Sequence, residues 1–263
     1  MHPGSFDDTI PQHPELEWEA LPELRELYFY PCHHSGETLP LIGIEKVVKK
    51  CRKLKRFHLC FYSNDRSTDV PSFSPTTIIE CLATALQTLT QFSLACSYLM
   101  IHNLVPSTLL GSNMSMFAML TNLDVKEQVF CHHWVDTNRS TTCLTDMLPV
   151  TVTTLTIRIH DKFRAIGDTC HLGAVISDGG FPTLASLAVI VQYTIGMKNR
   201  INDHEHYFID TEMTEDMIIR LKNLYAQAKR DITEAFHGAK MRVSVTLEER
   251  DFENEPMYYT VGI

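Results

Sequence analysis

The sequence lacks the segments that would carry a protein into or across a membrane. Its 263 residues contain no run of about 18 apolar residues. The opening stretch, MHPGSFDDTIPQHPE, has neither the basic start nor the apolar core of a secretory signal. We therefore expect a soluble protein of the cytoplasm or the nucleus, with no membrane partner.

Positive charge is also scarce. Lysine and arginine number 23 against 32 acidic residues, which gives a formal charge of −9, and no basic run exceeds KKCRKLKR at 49–56. A surface of this sign repels phosphate backbones. We therefore expect no nucleic-acid partner.

Signatures of catalysis are missing as well. The chain has no glycine-rich phosphate loop, no G-x-S-x-G and no H-E-x-x-H. Its eight cysteines stand singly, without C-x-x-C, and are expected to be small buried hydrophobes in a reducing compartment. The sequence thus favours a protein that is not an enzyme and needs no cofactor or metal.

What the sequence does contain is a repeat of the form apolar-x-x-apolar-x-apolar. Six copies occur, LRELYF, LKRFHL, LTQFSL, LTNLDV, VTTLTI and LASLAV. Their central apolar residues are separated by 30, 35, 31, 32 and 32 residues; they are Leu27, Phe57, Phe92, Leu123, Leu155 and Leu187. Near-constant spacing predicts one structural unit per copy.

Helical periodicity lies between the copies. In TTIIECLATALQTL, residues such as Ile78, Leu82 and Ala85 share one helical face, and Ser74 followed by Pro75 marks the helix start. Shorter helical spacings occur in IGIEKVVKKC, CLTDML and HLGAVI. Each repeat is therefore predicted to be a strand followed by a helix, which stacks with its neighbours into a parallel sheet.

This pattern resembles the leucine-rich-repeat family, whose L-x-x-L-x-L motif all six copies match with apolar replacements. CRKLKRFHLC is similar to the cysteine-containing subclass found in F-box proteins, but we expect no F-box in this sequence, because helix-like PELEWEAL already leads into the first strand. The resemblance implies an α/β solenoid with a curved parallel sheet on its concave side and helices on its convex side. It also implies the recognition half of a ubiquitin-ligase adaptor, as a short form or a truncated product.

Three regions follow from this organisation. Residues 1–13 form an N-terminal extension, 14–194 hold the irregular repeats, and 195–263 hold an insertion, a long amphipathic helix and a last strand. In the helix, Ile218, Leu221, Tyr225, Ala228 and Ile232 recur every three or four residues. MRVSVTLEE alternates like a strand, so helix and strand are predicted to cap the same solenoid.

Three places in the sequence are candidates for a metal site. The triplets beginning at Cys32 and Cys131 follow the first and fourth strands, about 14 Å apart, which is too far for one zinc ion. His204 and His206 would share one face of a strand, but no third ligand is identifiable. A metal-dependent enzyme using these two histidines is the alternative to a binding protein.

Between the apolar positions, polar and aromatic residues of each strand should line the concave face. Tyrosine and arginine often dominate interface energies, so we predict a protein partner bound there, with an acidic or phosphorylated segment. The bare edge of the first strand could also recruit a second copy. The predicted partner-binding residues are Tyr28, Tyr30, Arg56, His58, Tyr62, Lys126, Arg158 and His160.

Overall fold

The computed structural model describes most of the repeats and the helix and strand that follow them. The described residues are 21–29, 41–61, 75–96, 110, 112–130, 143–159, 165–194, 215–250 and 261–262. The strands are β1 (Glu26–Phe29), β2 (Arg56–Phe61), β3 (Gln91–Cys96), β4 (Asn122–Lys126), β5 (Thr154–Ile159), β6 (Ser186–Thr194), β7 (Arg242–Arg250) and β8 (Val261–Gly262). The helices are α1 (Leu41–Lys50), α2 (Pro75–Cys81), α3 (Cys143–Met147), α4 (Ala165–Ser177) and α5 (Glu215–Ala235).

One sheet joins all the described strands, and its spatial order follows the chain. Strands β1 to β7 are parallel, and each pairs with the next one in sequence. Strand β8 pairs antiparallel with β1 at the outer edge, a contact that sequence periodicity did not predict. The chain is therefore an α/β protein.

The six marker residues of the repeat stand side by side across the sheet. Leu27 pairs with Phe57, and the pairing continues through the other markers to Val243 on β7. Every marker is buried, and all six belong to one core with apolar helix residues such as Ile44, Ile78 and Leu144. Because apolar residues alternate with polar ones along each strand, the same face of every strand packs against the helices.

Helix α2 begins at Pro75, as the sequence predicts, but it is shorter than predicted. After Cys81 the chain tightens into a 3₁₀ turn, Leu82–Ala85, that keeps Leu82 and Ala85 buried. A 3₁₀ turn places side chains at i and i+3 on the same side. The buried apolar set is therefore as predicted, while the hydrogen bonding of the backbone is not.

Helix α5 and strand β7 extend the layers of the repeats. The helix buries Leu221, Ala228 and Ile232, and β7 pairs with β6 along its full length. Tyr225 donates a hydrogen bond from its hydroxyl to the carbonyl oxygen of Val245, 3.0 Å away, which joins helix to strand. The chain leaves the helix through Gly238, whose φ of +92° suits glycine.

Threonine side chains join the entries of β3, β4, β5 and β6 to the preceding repeat. Thr88 donates to the carbonyl oxygen of Leu54 at 2.8 Å, and Thr151 donates to that of Leu120 at 2.8 Å. Six threonines make such bonds to backbone carbonyls one repeat away: Thr88, Thr90, Thr121, Thr151, Thr153 and Thr183. These bonds satisfy carbonyl groups in the turns before the strands.

Replacing Thr151 by valine keeps the shape of the side chain but leaves the carbonyl oxygen of Leu120 without this donor. We expect the free energy of unfolding to fall by about 1 kcal/mol, the typical net value of one hydrogen bond. Thr246→Val, on an exposed position of β7, is the control. Urea denaturation measures the free energy of unfolding of both variants. If Thr151→Val were as stable as wild type, the hydroxyl of Thr151 would contribute nothing to stability.

Two buried acids cap helices across repeat boundaries. The carboxylate of Asp168 accepts a hydrogen bond from the backbone N–H of Cys143, the first residue of α3, at 3.1 Å. Glu127 accepts from the N–H of Ala165, the first residue of α4, at 3.3 Å. Carboxylates at helix N-termini satisfy free N–H groups and complement the helix dipole. These acids therefore have structural roles.

Candidate functional site

The sheet has a second face, opposite the markers, which we call the open face. It carries the residues that alternate with the markers: Glu26, Tyr28, Arg56, His58, Gln91, Ser93, Asn122, Asp124, Thr154, Thr156 and Arg158. Nearly all of them are half-buried, and Arg56 is exposed. Surface of this kind remains accessible to a partner.

Burial on this face increases toward the carboxyl ends of the strands. Cys60, Ala95, Lys126 and Gln192 retain only 4–8% exposure. Lys126 is 4% exposed, so it offers almost no surface to a partner, unlike the exposed base that the sequence suggested. The accessible part of the open face is therefore its amino-terminal half.

A groove of about 260 Å³ crosses that half of the face. Two rows of the sheet form its floor. In one row Gln91 pairs with Asn122, which pairs with Thr154, and in the other Ser93 pairs with Asp124, which pairs with Thr156. Five uncharged polar side chains line it, which we call the groove amides and hydroxyls: Gln91, Ser93, Asn122, Thr154 and Thr156.

The strongest polar contact on the face joins β4 and β5. Arg158 donates from Nε and Nη2 to both carboxylate oxygens of Asp124, at 2.9 and 2.8 Å, in a fork geometry. Its Nη1 lies 3.9 Å from Oε2 of Glu248 on β7. Burial alone would lower the pKa of Arg158, but Asp124 and Glu248 raise it above its usual value. Arg158 therefore keeps its positive charge, and acids of the protein itself already balance that charge.

Arg56, the other arginine predicted to bind a partner, is also paired. Nη1 of Arg56 lies 2.9 Å from Oε1 of Glu26, and the hydroxyl of Tyr28 donates to the other carboxylate oxygen at 3.3 Å. Tyr28 in turn lies against His58, with ring centroids 6.0 Å apart. Of the aromatic and basic residues predicted from the first two repeats, Tyr28, Arg56 and His58 are described, and these three come together.

His58 occupies the centre of this arrangement. Burial lowers its pKa, the charge of Asp124 acts in the opposite direction, and the charge of Arg158 lowers it further. The imidazole is therefore neutral at neutral pH, and the face carries no free positive charge there.

The lowered pKa makes stability depend on pH. The unfolded chain binds a proton at His58 near its usual pKa of about 6.5, whereas the folded protein does not, so acidification favours unfolding. We expect wild-type protein to lose more stability than His58→Gln as the pH falls from above 6.5 through the lowered folded pKa. His237→Gln, at an exposed histidine, is the control. Urea titrations at several pH values measure the free energy of unfolding. If it changed with pH equally in wild type and His58→Gln, the prediction would be contradicted.

One row contains serine, histidine and aspartate on adjacent strands. His58 pairs with Ser93, and Ser93 pairs with Asp124. In a hydrolase triad the carboxylate orients the histidine. Here serine lies between them, and both oxygens of Asp124 accept hydrogen bonds from Arg158. The row does not have the order that nucleophilic catalysis requires.

Other predicted features cannot be placed. Tyr30, Tyr62, His160, the two Cys-His-His triplets and the pair His204 and His206 lie outside the described residues. Among the residues that are described, no group of three or more histidine, cysteine, aspartate or glutamate side chains could hold a metal ion. None of the helices in this part of the chain is sufficiently long and apolar to span a membrane.

The described cysteines carry free thiols, and Cys51, Cys60 and Cys81 are buried. The thiol of Cys51 lies 3.2 Å from the carbonyl oxygen of Val47, and burial raises its pKa to about 11. Such a thiol is protonated and unreactive at neutral pH. Cys51 therefore acts as a small apolar residue, as the sequence suggested.

Comparison of the chain with family models, curated proteins and solved structures gives no significant match. The resemblance to leucine-rich-repeat proteins therefore depends on the repeat pattern itself.

Sequence reasoning did not predict the ion pairs of the open face. It identified Arg56 and Arg158 as bases for an acidic partner, but it did not pair them with Glu26, Asp124 and Glu248. The signal was available for two of these pairs, because Glu26 and Arg56 stand at equivalent positions of successive repeats, and Asp124 lies two residues before the position equivalent to Arg158.

Proposed function

We propose that the protein is a non-enzymatic binding protein built as an irregular leucine-rich-repeat solenoid, and that it recognises a protein partner on the open face. The observation that carries this proposal is the half-buried polar groove on a parallel sheet whose other face packs against the helices. Repeat proteins of this kind commonly use an extended sheet face for recognition. Helix α5 and strand β7 would then cap the solenoid.

The groove also has the residue types of an interface. Tyr28 supplies a large, stiff contact surface beside His58, and Arg56 retains 46% side-chain exposure despite its ion pair with Glu26. Tyrosine and arginine are enriched among residues that dominate binding energies. A role as the substrate-recognition module of a ubiquitin ligase is the finer form of this proposal.

The test is affinity capture with Tyr28→Ala combined with Arg56→Glu. Both changes affect accessible side chains of the groove, so we expect the variant to fold normally and to lose its partner, with binding weakened at least about tenfold. The matched control is Leu224→Ala with Arg220→Glu, which alters exposed side chains of α5 instead.

Proteins captured from a lysate of the source cells by wild type and by the control, but not by the groove variant, would support recognition through this face. Ubiquitin-ligase subunits among them would support the adaptor role. Equal capture by all three proteins would refute the assignment of the groove, whereas loss from the control alone would place the interface on α5.

A further inference from the structure

The charges of the groove are already balanced within the protein. Arg56 is paired with Glu26, and Arg158 is paired with Asp124 and approached by Glu248. His58, between them, has a pKa lowered chiefly by burial and is neutral. A charged ligand would have to displace one of these internal partners and would meet a like charge on the other. The fork between Arg158 and Asp124 is especially hard to displace, because both Nε and Nη2 donate hydrogen bonds to the carboxylate.

The uncharged polar side chains of the groove have hydrogen-bonding groups that the fold leaves unused. In the described part of the chain, no side-chain hydrogen bond engages any of the groove amides and hydroxyls, Gln91, Ser93, Asn122, Thr154 and Thr156. By contrast, the threonines just before the strands, such as Thr90 and Thr153, donate hydrogen bonds from their hydroxyls to backbone carbonyls. The groove therefore holds a group of free donors and acceptors that the fold itself does not use.

We propose that the partner segment bound in the groove is a neutral polar peptide, rich in amide and hydroxyl side chains, which is recognised through uncharged hydrogen bonds. This inference rests on the proposed function and refines it. It replaces the acidic or phosphorylated segment that the arginines alone suggested. Adjacent strands lie about 4.8 Å apart, so three neighbouring strands present the five side chains as a patch that a few residues of extended peptide can cover.

Ionic strength should distinguish this mode of binding from a charge-driven one. Attraction between exposed charges is largely screened at high salt, whereas neutral hydrogen bonds are not. We therefore expect the affinity of the bound peptide to change by less than about threefold between 50 and 500 mM NaCl. Removing two of the five polar side chains should weaken binding about tenfold.

The experiment is selection of a phage-displayed library of linear 12-residue peptides on the full-length protein, followed by titration of the selected peptides as synthetic molecules. Gln91→Ala with Asn122→Ala is the test variant. The matched control is Asn223→Ala with Gln227→Ala, which removes the same two side-chain types from exposed positions of α5. Thermal unfolding of both variants checks that they are folded.

Selected peptides of no net charge that keep their affinity in 500 mM NaCl and lose it only in the test variant would support the inference. Peptides that need the groove but are charged, or that dissociate at high salt, would overturn the inference and leave the proposed function standing. If no selected peptide depended on the groove, and Tyr28→Ala with Arg56→Glu had no effect either, both proposals would fall.

Discussion

Leu123→Asp is expected to unfold the protein. Leu123 is 2% exposed and lies in the middle of the sheet, paired with Phe92 on one side and Leu155 on the other. The substitution removes buried apolar surface and places a carboxylate in the core, while Lys126, the one buried cation among the described residues, lies on the other face of the sheet. Losses from these two causes add to about 4–5 kcal/mol or more, which is comparable to the whole stability of many domains.

The matched control is Asn122→Asp, one residue earlier on the same strand. Asn122 faces the groove and is half-buried, so the same carboxylate there keeps access to water. We expect its stability to change by no more than about 0.5 kcal/mol, as is usual for surface substitutions. Circular dichroism and urea titration of both variants measure the difference. Similar stabilities would mean that the alternation of faces along β4 is wrong.

The strands and their order could be predicted from the sequence because one signal determines both. Each marker, such as Phe57 or Leu187, is apolar with a second apolar residue two positions later, and period-two alternation with one buried face sets the register. Near-constant spacing then makes each strand pair with the next. The burial of Ile44, Val47 and Val48 on α1 followed from helical periodicity in the same way.

Other features of the fold depend on contacts between distant residues, which no local pattern contains. The cap that Asp168 provides for α3 joins residues 25 positions apart, and the cap that Glu127 provides for α4 joins residues 38 apart. The pairing of β8 with β1 brings the end of the chain to the first strand. SDGGF at 177–181 is typical of a turn before a strand, but it does not predict the φ of 49° at Phe181.

In the candidate site, too, the local pattern predicts some features, and contacts between distant residues determine the others. Placement of Tyr28, Arg56 and His58 on one face follows from alternation, and the structure places them there. Their electrostatic state does not follow, because it depends on which acid each base meets. Arg158 reaches Asp124 on the neighbouring strand and approaches Glu248 on β7, so the two arginines that appear as free bases in sequence are paired with acids in the folded protein. Charge on a sheet therefore has to be counted by pairs across strands.

Gly173→Ala is the second substitution with a large expected effect, and its sign is opposite to that of helix propensity. Alanine in a helix interior is normally more stable than glycine by about 1 kcal/mol. At position 173, however, a Cβ atom would lie 2.6 Å from the carbonyl oxygen of Ala235 and 2.9 Å from its carbonyl carbon. These are backbone atoms of α5, so relief requires α4 and α5 to move apart. We expect a loss of about 2–3 kcal/mol, typical of overpacking.

Gly167→Ala separates the clash from helix propensity, because Gly167 is exposed on the same helix. We expect this control to be neutral or to gain up to about 1 kcal/mol. Chemical denaturation gives both values, and hydrogen exchange in Gly173→Ala should show α5 losing protection before the β2–β5 core does, because the substitution disturbs the contact between α4 and α5. If Gly173→Ala were as stable as wild type, the close approach of the two helices would be refuted, and with it the tight packing of α5 against α4.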